Sequence, residues 1–375
     1  MNLFKSTKKK IKLFSAFVSV YVVMQTFVFV VGCNSAKKMQ SDDTETENEI
    51  SNETEPVIEE FVYEPSQVAM SFKEIWGYVF NGREYEFSPN YPITDVGYFV
   101  SAVNAFSELD PVPDRNKFFS KYKGRVHLVT SADSRSQTHL LLDPELPLRD
   151  RIIDSLIKAS ETYEGLQIDW ELVPAKDKDN FLSFLTEIKK KLNGKILSIA
   201  VPARLKTLTE DAYDYAAVSE IVDRVIIMAY DEHWSTSKPG PIASNSWCRN
   251  IYNYAKNIIP EEKLVMGVSF YGRTWTDDKD GARAWYNEGI NRIKSENEVN
   301  ETLRSDEGIP YFTFTKTVTI TGWYDDVYSL NVRCKMYRDS GVKNLAFWRV
   351  GQEDKEFWNL IVTEDSLRKT QNLMK

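Results

Sequence analysis

The chain has 375 residues, with 47 Lys and Arg against 55 Asp and Glu and a formal charge of −8. That balance argues against nucleic acid as a partner, because domains that bind it carry a basic face. Hydrophobic residues at 42% and aromatics at 13% exclude a disordered chain and supply a substantial core, either in two or three domains or in one α/β barrel.

Residues 1–33 hold five Lys and no acid. Lys5, Lys8, Lys9, Lys10 and Lys12 precede a mostly apolar stretch from Leu13 to Val31, which ends in Val30-Val31-Gly32-Cys33. A basic start, an apolar run and a small residue at the end read as an export signal. The ending resembles the lipobox of bacterial lipoproteins. The resemblance makes Cys33 the lipid-bearing residue, the membrane a partner through that lipid, and the cell envelope the location. An uncleaved transmembrane anchor is the other reading, because a stretch of this length also spans a bilayer. Residues 34–66 follow as an acidic linker; Asn34 to Glu60 contain nine acids and two Lys. Such a segment buries too little apolar surface to offset its ordering entropy, so it is expected to be a disordered tether.

Residues 67–366 read as one folded body and 367–375 as a tail. Short β-rich runs recur at Ile75–Phe80, Ile93–Val100, Arg125–Thr130, Leu166–Val173, Ile196–Val201, Arg224–Tyr230, Leu264–Phe270 and Asn344–Trp348. Helical patterns fall at Pro147–Thr162, Asp177–Leu192, Asp211–Ile221, Ser246–Asn257 and Tyr328–Ser340. Near-continuous apolar strands separated by helices imply a covered parallel sheet. Eight of them predict a (β/α)8 barrel; a doubly wound open sheet is the alternative, but no Gly-rich dinucleotide turn follows the first strand. Between strands seven and eight, about 275–325, the rhythm breaks, and Tyr311-Phe312-Thr313-Phe314 and Val318-Thr319-Ile320 look antiparallel. This predicts a small α+β insertion on the C-terminal face, where barrel active sites lie. Cys248 and Cys334 admit either a disulfide or two buried thiols. His127, His139 and His233 lack metal-ligand spacing, so no metal and no cofactor are expected, and a single chain is expected to be the working unit.

Strand four carries the chemistry. In Glu164-Gly165-Leu166-Gln167-Ile168-Asp169-Trp170-Glu171-Leu172, alternation puts Leu166, Ile168, Trp170 and Leu172 on one face and Gln167, Asp169 and Glu171 on the other. The first face suits the surrounding helices and the second points into the barrel. Polar groups there carry a desolvation cost unless they are hydrogen-bonded or used. A polar network without catalysis is the alternative at this point.

The strand resembles the Asp-x-x-Asp-x-Asp-x-Glu signature of glycoside hydrolase family 18, the chitinase-like family. Asp169 and Glu171 match it, and Glu164 and Gln167 depart from it. Met228-Ala229-Tyr230-Asp231, Gly267 to Arg273, and Ala346-Phe347-Trp348-Arg349 with Gly351 to Asp354 resemble the family's later strand ends, in the same order. The amide at Gln167, and Asp231-Glu232-His233-Trp234, resemble a bacterial branch that contains spore-cortex and peptidoglycan N-acetylglucosaminidases. The resemblance implies a retaining, substrate-assisted glycosidase acting on glycans that contain N-acetylglucosamine. By resemblance Glu171 is the general acid and base, and Asp169 holds the acetamido N–H. Tyr230 would bond the acetamido oxygen, Trp348 floor the sugar, and Met228 and Asp231 line the pocket. Gln167 is expected to hydrogen-bond Asp169 and leave it easier to ionise than a third acid would. Tyr78 and Tyr271 are further candidate sugar contacts near the mouth, with core packing as the other reading. Arg204 and Arg273 read equally as substrate contacts or as partners of acids. A lectin-like relative that has lost activity is the competing function.

Overall fold

The computed structural model describes residues 62–367 except 105, 133, 277–281 and 316–318. The export signal with Cys33, the acidic segment to residue 61 and the tail from 368 lie outside the described residues.

Eight parallel strands close into a barrel: β1 Glu74–Phe80, β2 Asp95–Val103, β3 Arg125–Ala132, β4 Gly165–Asp169, β5 Ile196–Pro202, β6 Arg224–Met228, β7 Leu264–Ser269 and β8 Asn344–Trp348. β8 pairs with β1, Ala346 opposite Trp76, and this pairing completes the ring. The order is the one expected from sequence; the open doubly wound sheet is excluded. Two bounds differ. β4 stops at Asp169, so Glu171 sits in the following turn rather than on the strand. β2 starts at Asp95 and runs to Val103.

The helices form where apolar residues recur at helical spacing and an end is capped. Pro147–Ala159 starts with Pro in its first turn and buries Ile152, Ile153 and Leu156. A proline at that position removes no helical hydrogen bond and comes with a preset φ. Val327–Asp339 starts at a capping box made by Asp326 and Ser329. Residues at the strand ends also pack on these helices, as in Trp170, just past β4, against Phe184 of helix Lys178–Lys191, with ring centroids 4.9 Å apart. Inside the barrel, Trp76, Tyr78, Phe99, Val129, Ile226, Val265 and Ala346 form one apolar cluster. At the amino ends of the strands, Glu74 pairs with Arg224 at 2.7 Å and Arg125 at 2.8 Å, and Asp95 pairs with Arg125 at 2.6 Å. Asp95 also meets His127 at 2.8 Å. The Asp95 carboxyl is pulled down to about 2: its burial alone would raise it, and the bonds from His127 and Arg125 outweigh that.

The insertion is a five-stranded antiparallel sheet with a helix, Asn287–Glu296. In sheet order its strands are Arg283–Tyr286, Tyr271–Thr276, Thr319–Trp323, Pro310–Thr315 and Leu303–Arg304. It starts earlier than the expected residue 275, because Tyr271–Thr276 follows β7 after the single residue Phe270 and is paired on both edges. Ile290 of the helix packs with Phe312 and Tyr324. Asp325, just past the last strand, is bound by Arg333 at 2.8 Å, Ser329 at 2.8 Å and Ser269 at 3.2 Å, which fastens the insertion to β7 and to helix Val327–Asp339. Cys248 and Cys334 are free and buried, so the disulfide reading falls. Outside the barrel, Met70–Phe72 pairs in parallel with Ile361–Thr363. Among the described residues no helix is long and apolar enough to cross a membrane. No group of three or more His, Cys, Asp or Glu among them is placed to hold a metal ion.

Candidate active site

The carboxyl ends of β4, β6, β7 and β8 bring the predicted residues together. On β4, Ile168 faces out and Gln167 and Asp169 face in; both are buried. The Gln167 side chain does not reach for Asp169. Its Nε2 donates to Tyr78 Oη at 2.8 Å, and both Gln167 Oε1 and Asp169 Oδ1 have no hydrogen-bond partner. The expected Gln167–Asp169 bond is therefore absent, because Tyr78 on β1 takes the amide first. Glu164 sits at the opposite end of the barrel, where its carboxylate accepts the Val126 N–H at 2.7 Å and the Arg115 guanidinium at 3.1 Å.

Electrostatics separates the two acids of this strand end from ordinary surface carboxylates. Burial, then the neighbouring Glu171 charge, raises the Asp169 carboxyl well above its usual range. Glu171 is exposed at the barrel mouth, yet the protein packed around its carboxyl desolvates it. That desolvation, followed by repulsion from Asp231, pushes it up to about 7. Removing a third acid at position 167 thus leaves Asp169 hard to ionise, since its burial is the larger effect.

Asp231 follows β6 in a left-handed conformation, φ +60°, which Asp tolerates better than most residues. Its Oδ1 accepts from Tyr271 Oη at 2.5 Å and from Arg273 at 2.8 Å. Arg273 is therefore the partner of an acid, and Arg204 is too, paired with Asp211 at 2.7 Å. Met228 and Tyr230 are half-buried at the end of β6. Gly267 of β7 leaves the space that Tyr230 uses: a Cβ there would lie 3.0 Å from the Tyr230 ring and 2.6 Å from the Ile227 carbonyl. Trp348 is half-buried at the end of β8 and is braced by Tyr78, Phe80 and Phe99, with centroids 5.3, 5.4 and 5.1 Å away.

Tyr78 and Tyr271 are not open stacking surfaces. Each is 4% exposed, with its ring among other aromatics and its hydroxyl committed to Gln167 or Asp231. Trp275 and Trp323 of the insertion pack with Tyr271 and Ile242, and Tyr230 and Trp348 lie against that cluster. The insertion thus supplies an aromatic wall. A second tie was also missed: Arg349 binds Glu86 at 2.6 Å and Tyr286 at 2.6 Å, joining the loop after β1 to the insertion across the end of β8. Nothing in the sequence spacing links these three residues, which are far apart in the chain.

Three carboxyls and one tyrosine beside an aromatic wall can hold a sugar ring and pass a proton near neutral pH. Comparison with known proteins gives the family and the fold. The family model described as glycosyl hydrolases family 18 matches residues 135–353. A Bacillus subtilis protein called an uncharacterized glycosylase, YvbX, is 26% identical over 232 residues, covering 57% of this chain and 65% of that protein. The cortical fragment-lytic enzyme of Bacillus anthracis is 24% identical over 237 residues, covering 59% and 55%. The chain thus spans less than two thirds of either relative. Among solved structures, the Bacillus cereus spore cortex-lytic enzyme SleL superposes with a TM-score of 0.70 at 20% identity, covering 79% of this chain and 75% of that one. A chitinase from Chromobacterium violaceum gives 0.66 at 20% identity, covering 78% and 97%. At such identities the superpositions speak for the shared barrel.

Proposed function

The chain belongs to the glycosyl hydrolases of family 18, and from that premise we propose that it cleaves β-1,4 linkages of N-acetylglucosamine-containing glycans with retention and substrate assistance. The observation that carries the reading is the convergence of Asp169, Glu171 and Asp231 at the carboxyl ends of β4 and β6, with Glu171 protonatable near neutrality. Glu171 donates its proton to the glycosidic oxygen as the bond to the anomeric carbon breaks. The substrate's acetamido oxygen forms the new bond to that carbon, so no enzyme carboxylate is needed as nucleophile. Glu171, now ionised, takes a proton from the incoming water, and the acetamido group leaves as the product forms. Asp169 accepts the acetamido N–H and balances the positive charge of the cyclic intermediate in its ionised form, which that neighbouring positive charge favours against the burial that otherwise raises its pKa. Tyr230 bonds the acetamido group, while Met228, Asp231 and Trp348 shape the sugar site. Gln167, Tyr78 and Tyr271 act from beneath, through Trp348 and Asp231 and by filling the barrel.

General acid catalysis requires protonated Glu171, so kcat/KM falls as pH rises through about 7. Relatives named for cortex lysis make peptidoglycan a substrate to test beside chito-oligosaccharides. Glu171→Gln keeps the shape and removes the proton. Hydrolysis is expected to drop about 10²–10⁴-fold with glycan binding retained, read by mass spectrometry of products and by calorimetry. Equal cleavage by the variant would sink the mechanism. Binding without cleavage by the wild type would favour the lectin-like reading, for which the amide at Gln167 is the motivating observation. We further propose that Cys33 carries a lipid that holds the protein at the cell envelope; loss of palmitate labelling in Cys33→Ala is the expected result, and unchanged labelling would refute it.

A further inference from the structure

The turn that carries Glu171 has no ladder of its own. β4 ends at Asp169, and no regular element resumes before the short helix Ala175–Asp177. Backbone groups in such a stretch need partners from elsewhere, and here side chains supply them. Tyr213 Oη donates to the Trp170 carbonyl at 2.5 Å and accepts the Val173 N–H at 3.0 Å. Thr138 Oγ1 donates to the Leu172 carbonyl at 2.7 Å. The residue before Glu171 and the two after it are therefore all tethered, from the loop after β5 and from helix Arg135–Leu142.

Tyr213 is itself held. It is 5% exposed, its ring meets Phe181 edge-on at 5.8 Å, and its N–H donates to Asp211 at 3.1 Å. Asp211 is gripped by two nitrogens of Arg204, at 2.7 and 3.0 Å. A chain of contacts thus runs from Arg204 through Asp211 and Tyr213 to the turn.

We propose that Tyr213, backed by Arg204 and Asp211 and assisted by Thr138, is a positioning residue that sets where the Glu171 carboxyl stands. The inference rests on Glu171 being the proton donor of the proposed reaction. One hydroxyl closes both sides of the turn, because it donates to one strand of it and accepts from the other; a phenyl ring of the same size does neither. Burial, followed by the charges of Glu171 and Asp169, outweighs the Val173 N–H and raises the Tyr213 hydroxyl, so it stays a neutral donor. The titratable groups around Glu171 are Asp169 on its own strand end, Asp231 and Tyr230 after β6, and Tyr213 below. Freed from its tether, Glu171 moves toward water and away from Asp231, and its pKa drops.

Tyr213→Phe is measured beside the wild type on the glycan that the wild type cleaves, over pH 4–9. The expected result is a kcat about 10- to 10²-fold lower, the size of an ångström-scale misplacement, with KM within about threefold and the alkaline limb moved to lower pH. Thr138→Val shifts kcat and the limb in the same direction by less, and Thr138→Ser restores both. A Tyr213→Phe enzyme with a lower melting temperature but unchanged kcat and unchanged limb has lost only packing, and the proposal is overturned. Should Tyr213→Phe not fold, the Thr138 pair decides by the same readings. Should the wild type cleave no glycan, the Glu171 carboxyl is followed by carbon-13 NMR titration, assigned by its disappearance in Glu171→Gln. A lower Glu171 pKa in Tyr213→Phe then upholds the positioning role although the glycan reading has failed, and an unmoved pKa overturns it.

Discussion

Asp169 illustrates how a site is made from a group that the fold would rather not contain. Its carboxyl is buried, one oxygen lacks a partner, and its pKa stands well above the unfolded value. A raised folded pKa gives stability that is complete below the unfolded pKa, about 3.9, and that is lost as pH rises through the folded one. Asp169→Asn has the same shape and no charge to desolvate. Its melting temperature is therefore expected to pull ahead of the wild type progressively as pH rises from about 4, while activity is lost. Melting curves across pH check this, and a constant gap at every pH would refute it. At this scale the sequence was legible for the inward face of Asp169, because alternation along a strand is local, whereas Glu171 stands past the end of the strand, in the turn. It was not legible for Gln167, Tyr78 and Tyr271. The partner of each lies on another strand, and only the closed barrel decides which hydroxyl reaches which acid or amide.

The eight barrel strands were readable as runs because their outward residues are nearly continuous Val, Ile and Leu, and most ends came within a few residues. The exceptions have causes. The sequence ends strand seven at Phe270 and opens the insertion only at about 275, because nothing in Gly267 to Arg273 marks Tyr271–Thr276 as a new strand in a different sheet. β4 was read too long because Trp170 and Leu172 continue the alternation after the ladder has stopped. The spacing between elements is as tight as the strands themselves. Gly267→Ala would press a methyl against the Ile227 carbonyl and the Tyr230 ring. Backbone cannot yield as a side-chain tip does, so a loss of about 1–3 kcal/mol is expected, together with a displaced Tyr230 and a lower kcat/KM. Thermal melts and kinetics read both effects; a wild-type melting point with wild-type kinetics would mean that the two strands have slack between them.

On the scale of the molecule, the barrel keeps its charge pairs at the two ends for different purposes. At the amino end, Glu74, Asp95, Arg125 and Arg224 satisfy one another. At the carboxyl end, Asp169 and Glu171 have no cation bound to them among the described residues, which leaves their protons available. The aromatic wall and the Arg349 tie surround that second end and could not be foreseen, since they join segments distant in sequence. The pairing of Met70–Phe72 with Ile361–Thr363 has a topological consequence. The strands that begin and finish the body run side by side, so the polypeptide is close to a loop without a start. Because the pair is parallel, a crossover linker of about a dozen residues from Thr363 back to Met70, with the chain reopened at the exposed turn Asn193-Gly194, would give a circularly permuted barrel. Folds whose ends meet tolerate such rewiring. The permutant is expected to show the circular dichroism of the parent and its thermal cooperativity, and an unfolded product would mean that the order of synthesis, not only the final contacts, is needed to close the ring.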